Sequence, residues 1–422
     1  MSADTVDLET YDPMEKGIQQ NPFPYYAALR AQSPVHRLGE SNVYCISRMS
    51  TLLDVLGNTA VFSSRASNAA TQVKDPEVLK ELIEILKPGF APTDTMLTCD
   101  PPAQSRYRKT VGKAFSTRRI LELEPRVRAA VDAMIDAWPA KGRVDFMNQF
   151  AIGFPVRVIA QLLSMDRERE ADIKRWSDDS VAALGVEIER ERRLQAARGV
   201  VELQQYWATR LESARENPQD DLISDLAHAT FQEADGSKRL LTMDEMVSIV
   251  QQLMVAGNET TTKLLNATMK LLLENEGEWE AIRRDPSRIE SVVEESLRLS
   301  TPNQGMFRQV REDVVLEGVS IPKGSTLWLI FGSANRDESV FPDPDRFDPT
   351  RKNLKEHIAF GRGAHFCIGA PLARLEMRVA LEQLAKRLRE VRLADDNTYE
   401  YEPSYILRGL TALDLEIARA ED

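Results

Sequence analysis

Residues 360–369 read Phe360-Gly361-Arg362-Gly363-Ala364-His365-Phe366-Cys367-Ile368-Gly369, a cysteine set among three glycines just ahead of a predicted helix at 369–389. Glycines at this density imply a backbone in special geometry, or one approached closely by a large planar group. The amides and dipole at the start of the following helix favour an anionic sulfur. A thiolate held in this way is a good metal ligand. A free cysteine is ordinarily a small, buried, apolar residue. Cys45 and Cys99 lack these surroundings and read as structural.

Upstream, Thr242-Met243-Asp244-Glu245 fits a capping box, so a helix is predicted to start near Met243. It runs without proline to about Glu274, a length of about 50 Å, enough to cross a whole domain. Inside it lies Ala256-Gly257-Asn258-Glu259-Thr260-Thr261. Glycine in mid-helix costs roughly 1 kcal/mol relative to alanine. Thr260 can turn its hydroxyl onto a carbonyl three or four residues back and loosen the helix. Together they predict a kink that makes room for a small ligand. The residues at i−4, i−7 and i−11 from Thr260 are Ala256, Leu253 and Ile249, an apolar face suited to an organic substrate.

The rest of the chain reads as one large, mostly helical unit with a minor β part. Residues 1–20 read as a flexible tail and 21–422 as a single domain. Asn21-Pro22 opens a short helix through Leu29, and Val43–Ile46 alternates as a strand. From 104 to 230 apolar residues recur three and four apart, a helical pattern. A helix is predicted at 287–299 and strands at 313–316 and 325–331. An irregular proline-rich stretch covers 341–350, and 403–418 reads as a β-hairpin.

The chain has 422 residues, 42% hydrophobic and 28% charged, which suffices for a large core. A net charge of −12 argues against a uniformly basic nucleic-acid surface. The first twenty residues are polar and acidic, unlike a secretion signal. No run of about 18 apolar residues occurs. A cytoplasmic protein without a membrane span is expected. Three cysteines form neither a disulfide framework nor a zinc site, and no two of the four histidines stand at i, i+4.

The cysteine segment resembles the haem-binding signature of the cytochrome P450 family, Phe-Gly-x-Gly-x-His-x-Cys-x-Gly, at every fixed position. Ala256-Gly257-Asn258-Glu259-Thr260 resembles that family's oxygen-binding motif, about 110 residues ahead of the cysteine. Glu295-Ser296-Leu297-Arg298 is similar to its Glu-x-x-Arg helix, and Pro344-Asp345-Arg346-Phe347 to the segment that supplies a second arginine. The likeness runs from about residue 20 to 415. It implies a mainly α, triangular-prism fold with a smaller β region.

By the same resemblance, Cys367 ligates the iron of haem b and Phe360, Gly361, Ala256 and Gly257 border the cofactor. Thr260 hydrogen-bonds dioxygen and Glu259 relays protons. Arg108, Arg308 and His365 are expected to anchor the propionates, with Gln104 where the family usually has histidine. Glu295, Arg298 and Arg346 are expected to form a buried ionic triad. Residues around Phe90, Met96, Leu97, Asn303, Met306, Ile406 and Leu407 are expected to face the substrate, beside Ile249, Leu253 and Ala256.

The implied reaction inserts one atom of O2 into a hydrophobic organic substrate, usually at C–H. Electrons from NAD(P)H are expected through a ferredoxin and its reductase, because no flavin or nicotinamide domain is apparent. The donor is expected to dock on Arg106, Arg108, Lys109, Lys113, Arg118, Arg119 and Arg362. Two other readings are a haem-binding sensor without turnover, which has no need of Glu259-Thr260, and an H2O2-driven peroxygenase, whose relatives typically lose that pair.

Overall fold

In the computed structural model, which describes residues 6–65, 73, 75–112, 115 and 117–420, one long helix crosses the protein. Its start is set by a reciprocal cap. Thr242 Oγ1 accepts from the Glu245 N–H at 3.3 Å, and Glu245 Oε2 accepts from the Thr242 N–H at 2.7 Å. Glu245 also takes Arg239 Nη1 at 2.6 Å and the Tyr107 hydroxyl at 2.5 Å. Burial would raise this carboxyl, but these donors bring it down to about 2. The helix then runs unbroken from Met243 to Glu274. The hydroxyl back-bonding expected at Thr260 is present within this unbroken run. Thr260 Oγ1 donates to Ala256 O at 2.9 Å and Thr261 Oγ1 to Gly257 O at 3.2 Å.

In chain order the helices are α1 (Lys16–Gln20), α2 (Phe23–Gln32), α3 (Met49–Gly57), α4 (Pro76–Leu86), α5 (Ala103–Gly112), α6 (Thr117–Asp136), α7 (Gly153–Leu162) and α8 (Glu170–Val181). There follow α9 (Arg190–Glu216), α10 (Leu222–Ala227), α11 (Met243–Glu274), α12 (Glu278–Arg284), α13 (Ile289–Ser300), α14 (Phe331–Ala334) and α15 (Ala370–Arg387). Helix α11 packs against α7, α8, α9, α13 and α15. Apolar residues such as Met246, Val250, Leu265 and Met269 are buried at those contacts, and they supply the main driving force for this packing.

The β part is small. A mixed five-stranded sheet has the order β1-β2-β10-β7-β3, from β1 (Val35–Arg37), β2 (Val43–Ile46), β3 (Phe62–Ser63), β7 (Gly305–Val310) and β10 (Thr326–Ile330). Only β2 and β10 run parallel. A second sheet joins β11 (Leu388–Leu393), β12 (Asp414–Arg419) and β4 (Lys141–Asp145) in the order β11-β12-β4. Two short ribbons pair β5 (Thr230–Gln232) with β6 (Lys238–Leu240), and β8 (Val314–Leu316) with β9 (Val319–Ile321).

Three readings of the sequence are corrected here. Residues 403–418 do not form a hairpin. Strand β12 pairs with β11 and β4, and β11 begins at Leu388, inside the stretch predicted as helix. Residues 6–20 are not a loose tail. Tyr11 and Ile18 are buried, Tyr11 stacks on Tyr25 with ring centroids 5.5 Å apart, and Arg408 Nη1 donates to Gln19 O at 2.8 Å. Their apolar residues are too sparse to show a period.

The third correction concerns the triad. Glu295 and Arg298 are fully buried, with Nε to Oε2 and Nη2 to Oε1 both at 2.7 Å. The second guanidinium on Glu295 belongs to Arg351, Nε to Oε1 at 3.2 Å, not to Arg346. Arg346 is exposed and offers only its carbonyl, to Arg298 and Arg351. The stretch contains Pro342, Pro344 and Pro349 and a left-handed residue, Asp343, at φ 48°. Such a meander carries no period from which side-chain direction can be read.

Removing one member of a buried ion cluster leaves charge without a partner, at about 3–5 kcal/mol. Glu295→Ala and Arg351→Ala are expected to lose stability on that scale in chemical unfolding. Arg346→Ala is expected to stay within about 0.5 kcal/mol, as for an ordinary surface change. Equal losses in Arg346→Ala and Arg351→Ala would contradict this geometry.

Candidate active site

The loop ahead of α15 is folded by its glycines. Gly361 and Gly363 sit at φ 68° and 69°, in the left-handed region that residues with a Cβ avoid. A Cβ at Gly363 would also meet Leu56 O at 3.3 Å. The Cys367 N–H donates to Phe360 O at 2.9 Å, closing the loop. Gln104 Nε2 of α5 donates to Ala364 O at 2.6 Å and straps the loop from outside. The Cys367 sulfur opens onto a cavity at the start of α15. Enclosure there pushes the thiol up, while the N–H groups of Gly369 and Ala370 and the guanidinium of Arg108 pull the other way.

Helix α11 supplies the facing wall through Leu253, Ala256, Gly257, Thr260, Thr261 and Leu264. Gly257 also sits close to α7: a Cβ there would lie 3.1 Å from Ile159 Cδ1, which would have to yield by a few tenths of an ångström. Met96, Leu97, Asn303 and Met306 line the same cavity. Gln252 lines it too, and its Oε1 is buried without a hydrogen-bond donor among the described residues.

One edge of the cavity carries the guanidinium groups of Arg108 and Arg308, with the His365 imidazole beside them. Arg308 is 5% exposed and its Nη1 donates to Phe307 O at 2.7 Å. Burial lowers this guanidinium to about 10, partly offset by Asp100. Asp100 is already engaged by Ser63 Oγ at 2.6 Å, the Ser64 N–H at 2.7 Å and Arg311 Nη2 at 2.5 Å. Burial, Arg308 and Arg108 together depress His365 to about 4, against the opposing pull of Asp100. Its Nε2 lies 2.9 Å from Ser64 Oγ. At neutral pH the imidazole is therefore uncharged there.

These residues fit a flat dianionic cofactor. A buried arginine with no ion-pair partner among the described residues is costly unless an anion meets it, and carboxylates form strong charge-assisted hydrogen bonds with guanidinium groups. Cys367 would then meet the metal from one face. The small residues Ala256 and Gly257 would leave room on the other.

Of the sequence-predicted residues, Cys367, Arg108, Arg308, His365, Phe360, Gly361, Ala256, Gly257, Thr260, Leu253, Met96, Leu97, Asn303 and Met306 are brought together in this cavity. Gln104 is not; its amide is used on Ala364 and it borders a shallower hollow on the sulfur side. Ile249 is buried in the main core, less than one turn beyond the end of the cavity wall at Gln252. Leu407 bridges Asn303 from behind and packs with Ile406 and Trp328. Phe90 packs against the main core. Glu259 is buried but points to Lys263 Nζ at 3.2 Å and Lys174 Nζ at 3.5 Å.

Sequence reasoning missed Gln252, which stands eight residues before Thr260 and outside the apolar face marked by Ala256, Leu253 and Ile249. It also missed Glu376, a fully buried cavity residue whose Oε2 has no donor and whose carboxyl is pushed well above its ordinary range by burial. In sequence this glutamate looks like any solvated helix position. In the basic cluster, Lys109 is exposed, Arg118 pairs with Glu122 at 2.8 Å and Arg119 with Asp225 at 2.6 Å. Lys113 lies outside the described residues.

The family model for cytochrome P450 matches residues 189–398. The vitamin D(3) 25-hydroxylase of Pseudonocardia autotrophica is 34% identical, over 98% of this chain and 98% of its own. The 6-deoxyerythronolide B hydroxylase of Saccharopolyspora erythraea is 38% identical over 76% and 78% of the two chains. Among solved structures, a cytochrome P450 from Chondromyces apiculatus superposes with a TM-score of 0.83 at 35% identity, covering 98% of this chain and 99% of that one. One from Bacillus megaterium, solved in complex with testosterone, gives 0.80 at 31% identity over 95% and 99%. Likeness of this extent, in sequence and in fold alike, makes the chain a member of the cytochrome P450 family, the haem b monooxygenases.

Proposed function

We propose that this protein hydroxylates a hydrophobic organic molecule at a C–H bond, with Cys367 as the iron ligand and Thr260 and Glu259 serving proton delivery. The observation that carries this reading is the single cavity shared by the Cys367 sulfur and the Thr260 face of α11. Bound between them, haem supplies the reductive activation of O2, with one oxygen atom going to substrate and the other to water.

The Thr260 hydroxyl donates its hydrogen bond to Ala256 O, which leaves its lone pairs free to accept another. Thr260 can thus hold a proton-bearing group or a water over the cofactor. Leu253, Ala256, Met96, Leu97 and Met306 exclude water and favour an apolar substrate. Relatives named for hydroxylating vitamin D(3) and 6-deoxyerythronolide B, and a neighbour that holds testosterone, support an oxygenated, largely apolar ligand. We assign electron supply to NAD(P)H through a ferredoxin reductase and an acidic ferredoxin. The ferredoxin would dock beside the exposed Lys109 and the exposed Arg362.

The ferrous carbon monoxide complex is expected to show the red-shifted Soret band of thiolate ligation. Cys367→Ala should abolish it, and Cys45→Ala and Cys99→Ala should keep it. A normal band in Cys367→Ala rules out the ligand assignment. Thr260→Ala should uncouple turnover: product falls by on the order of tenfold or more, the scale of a lost proton-transfer group, while NAD(P)H consumption persists and H2O2 rises. Unchanged coupling with a well-bound substrate removes Thr260 from this role. For the donor, Lys109→Glu should slow stopped-flow reduction by an acidic ferredoxin and flatten its salt dependence, since steering is screened over about 8–10 Å. An unaltered rate at low salt excludes this surface.

A further inference from the structure

Lys263 is one turn beyond Glu259 on α11 and only 3% exposed. Burying an ammonium group is costly unless partners meet it, and two carboxylates do. Glu259 Oε2 lies at 3.2 Å and Glu402 Oε2 at 2.6 Å. The fold makes room for this side chain at a second point. A Cβ on Gly409 would stand 2.4 Å from Lys263 Cγ and 3.0 Å from its Cδ. The lysine stem therefore passes through a gap that exists because residue 409 has no side chain. Residues 402–409 also touch the substrate side, since the Gln304 N–H donates to Ile406 O at 2.7 Å and Leu407 bridges Asn303.

We propose that Lys263 is the positioning residue for Glu259. It holds that carboxylate turned from the cavity and anchored to the 402–409 loop, so proton delivery requires Glu259 to leave Lys263. This rests on the reading of Glu259 as the relay. Lys263 does not border the cavity itself and acts through Glu259 alone. The other charged groups facing Glu259 are on α8: Lys174 Nζ at 3.5 Å, and Asp178, which Lys174 also binds. Helix α7 faces this part of α11 with the apolar Ile159.

The electrostatics follow this arrangement. Burial would raise Glu259, but Lys263 and then Lys174 outweigh it and hold the carboxyl below its ordinary value. Asp178 moves the other way, raised by burial and by the Glu259 carboxylate against the pull of Lys174. Glu259 is thus held in its ionised form, and its α8 neighbour Asp178 is the weaker acid of the two. Removing Lys263 takes away the largest force favouring the ionised form. The Glu259 pKa should then rise.

The test uses the haem-loaded protein with Lys263→Met, Lys263→Arg, Gly409→Ala and Glu259→Gln. At pH 6, infrared difference spectra should show a protonated carboxyl band in Lys263→Met. The band should be absent from the parent and from the Lys263→Met, Glu259→Gln double variant. In turnover, the acid limb of the kcat profile should move up by about one pH unit or more, and Lys263→Arg should restore it. Should Lys263→Met fail to fold, Gly409→Ala, which crowds the lysine stem, should move both readouts the same way. No band and a superimposable pH profile in the folded variants would overturn the role of Lys263. Unchanged coupled turnover in Glu259→Gln would instead overturn the relay reading, and this role with it. An altered Glu259→Gln beside an unaltered Lys263→Met sinks the positioning role alone.

Discussion

A carboxylate with no access to water, Glu295, is tolerable in this fold because Arg298 and Arg351 close on it from two sides. The same Arg298 guanidinium donates to Asn335 O at 2.9 Å and Pro344 O at 2.7 Å. The Asn335 side chain in turn takes the Ile358 N–H at 2.7 Å, two residues before the cysteine loop begins. Alongside, Glu294 receives Arg374 Nε at 2.6 Å and lies 3.1 Å from His357 Nε2. Burial would raise this second carboxyl, but Arg374 and His357 bring it down to about 2. Two adjacent acids on α13 thus fix both flanks of the loop that carries the sulfur. The position of Cys367 is a property of this charge cluster as much as of its own glycines.

The cavity sorts its chemistry by edge. Guanidinium groups gather where anionic groups are to be met, and α11 presents small and apolar residues where an organic molecule is to lie. Glu259, one residue before Thr260, is held outside by ammonium groups. This division keeps full charges off the substrate face, where an unpaired charge would be costly. A carboxyl still remains one residue from the threonine.

Much of this was legible in the sequence where local chemistry is dense. The capping box located the start of α11 at the residue observed, and the proline-free run that follows let it extend to Glu274. The loop from Phe360 to Gly369 announced itself by composition. What escaped was set by tertiary partners. Arg351 and Arg346 are five residues apart in a proline-broken meander, and only the fold decides which turns inward. Ile249 lies on the expected helix face but beyond the reach of the cavity, because the wall ends at Gln252. Lys263 resembles a solvated helix lysine until Glu402, 139 residues away, comes to meet it. Val6–Gln20 carries too few apolar residues to reveal that it docks.

Gln104 grips Ala364 O with an amide, a donor that neither titrates nor carries net charge. That grip is therefore indifferent to ionic strength, which acts on exposed charges beyond a Debye length. Lys109, one and a half turns further along α5 and exposed to solvent, responds to salt fully. One short helix thus carries two attachments with different sensitivities. Raising the salt can release whatever gathers at its outer face while leaving the sulfur-bearing loop fastened to its inner one.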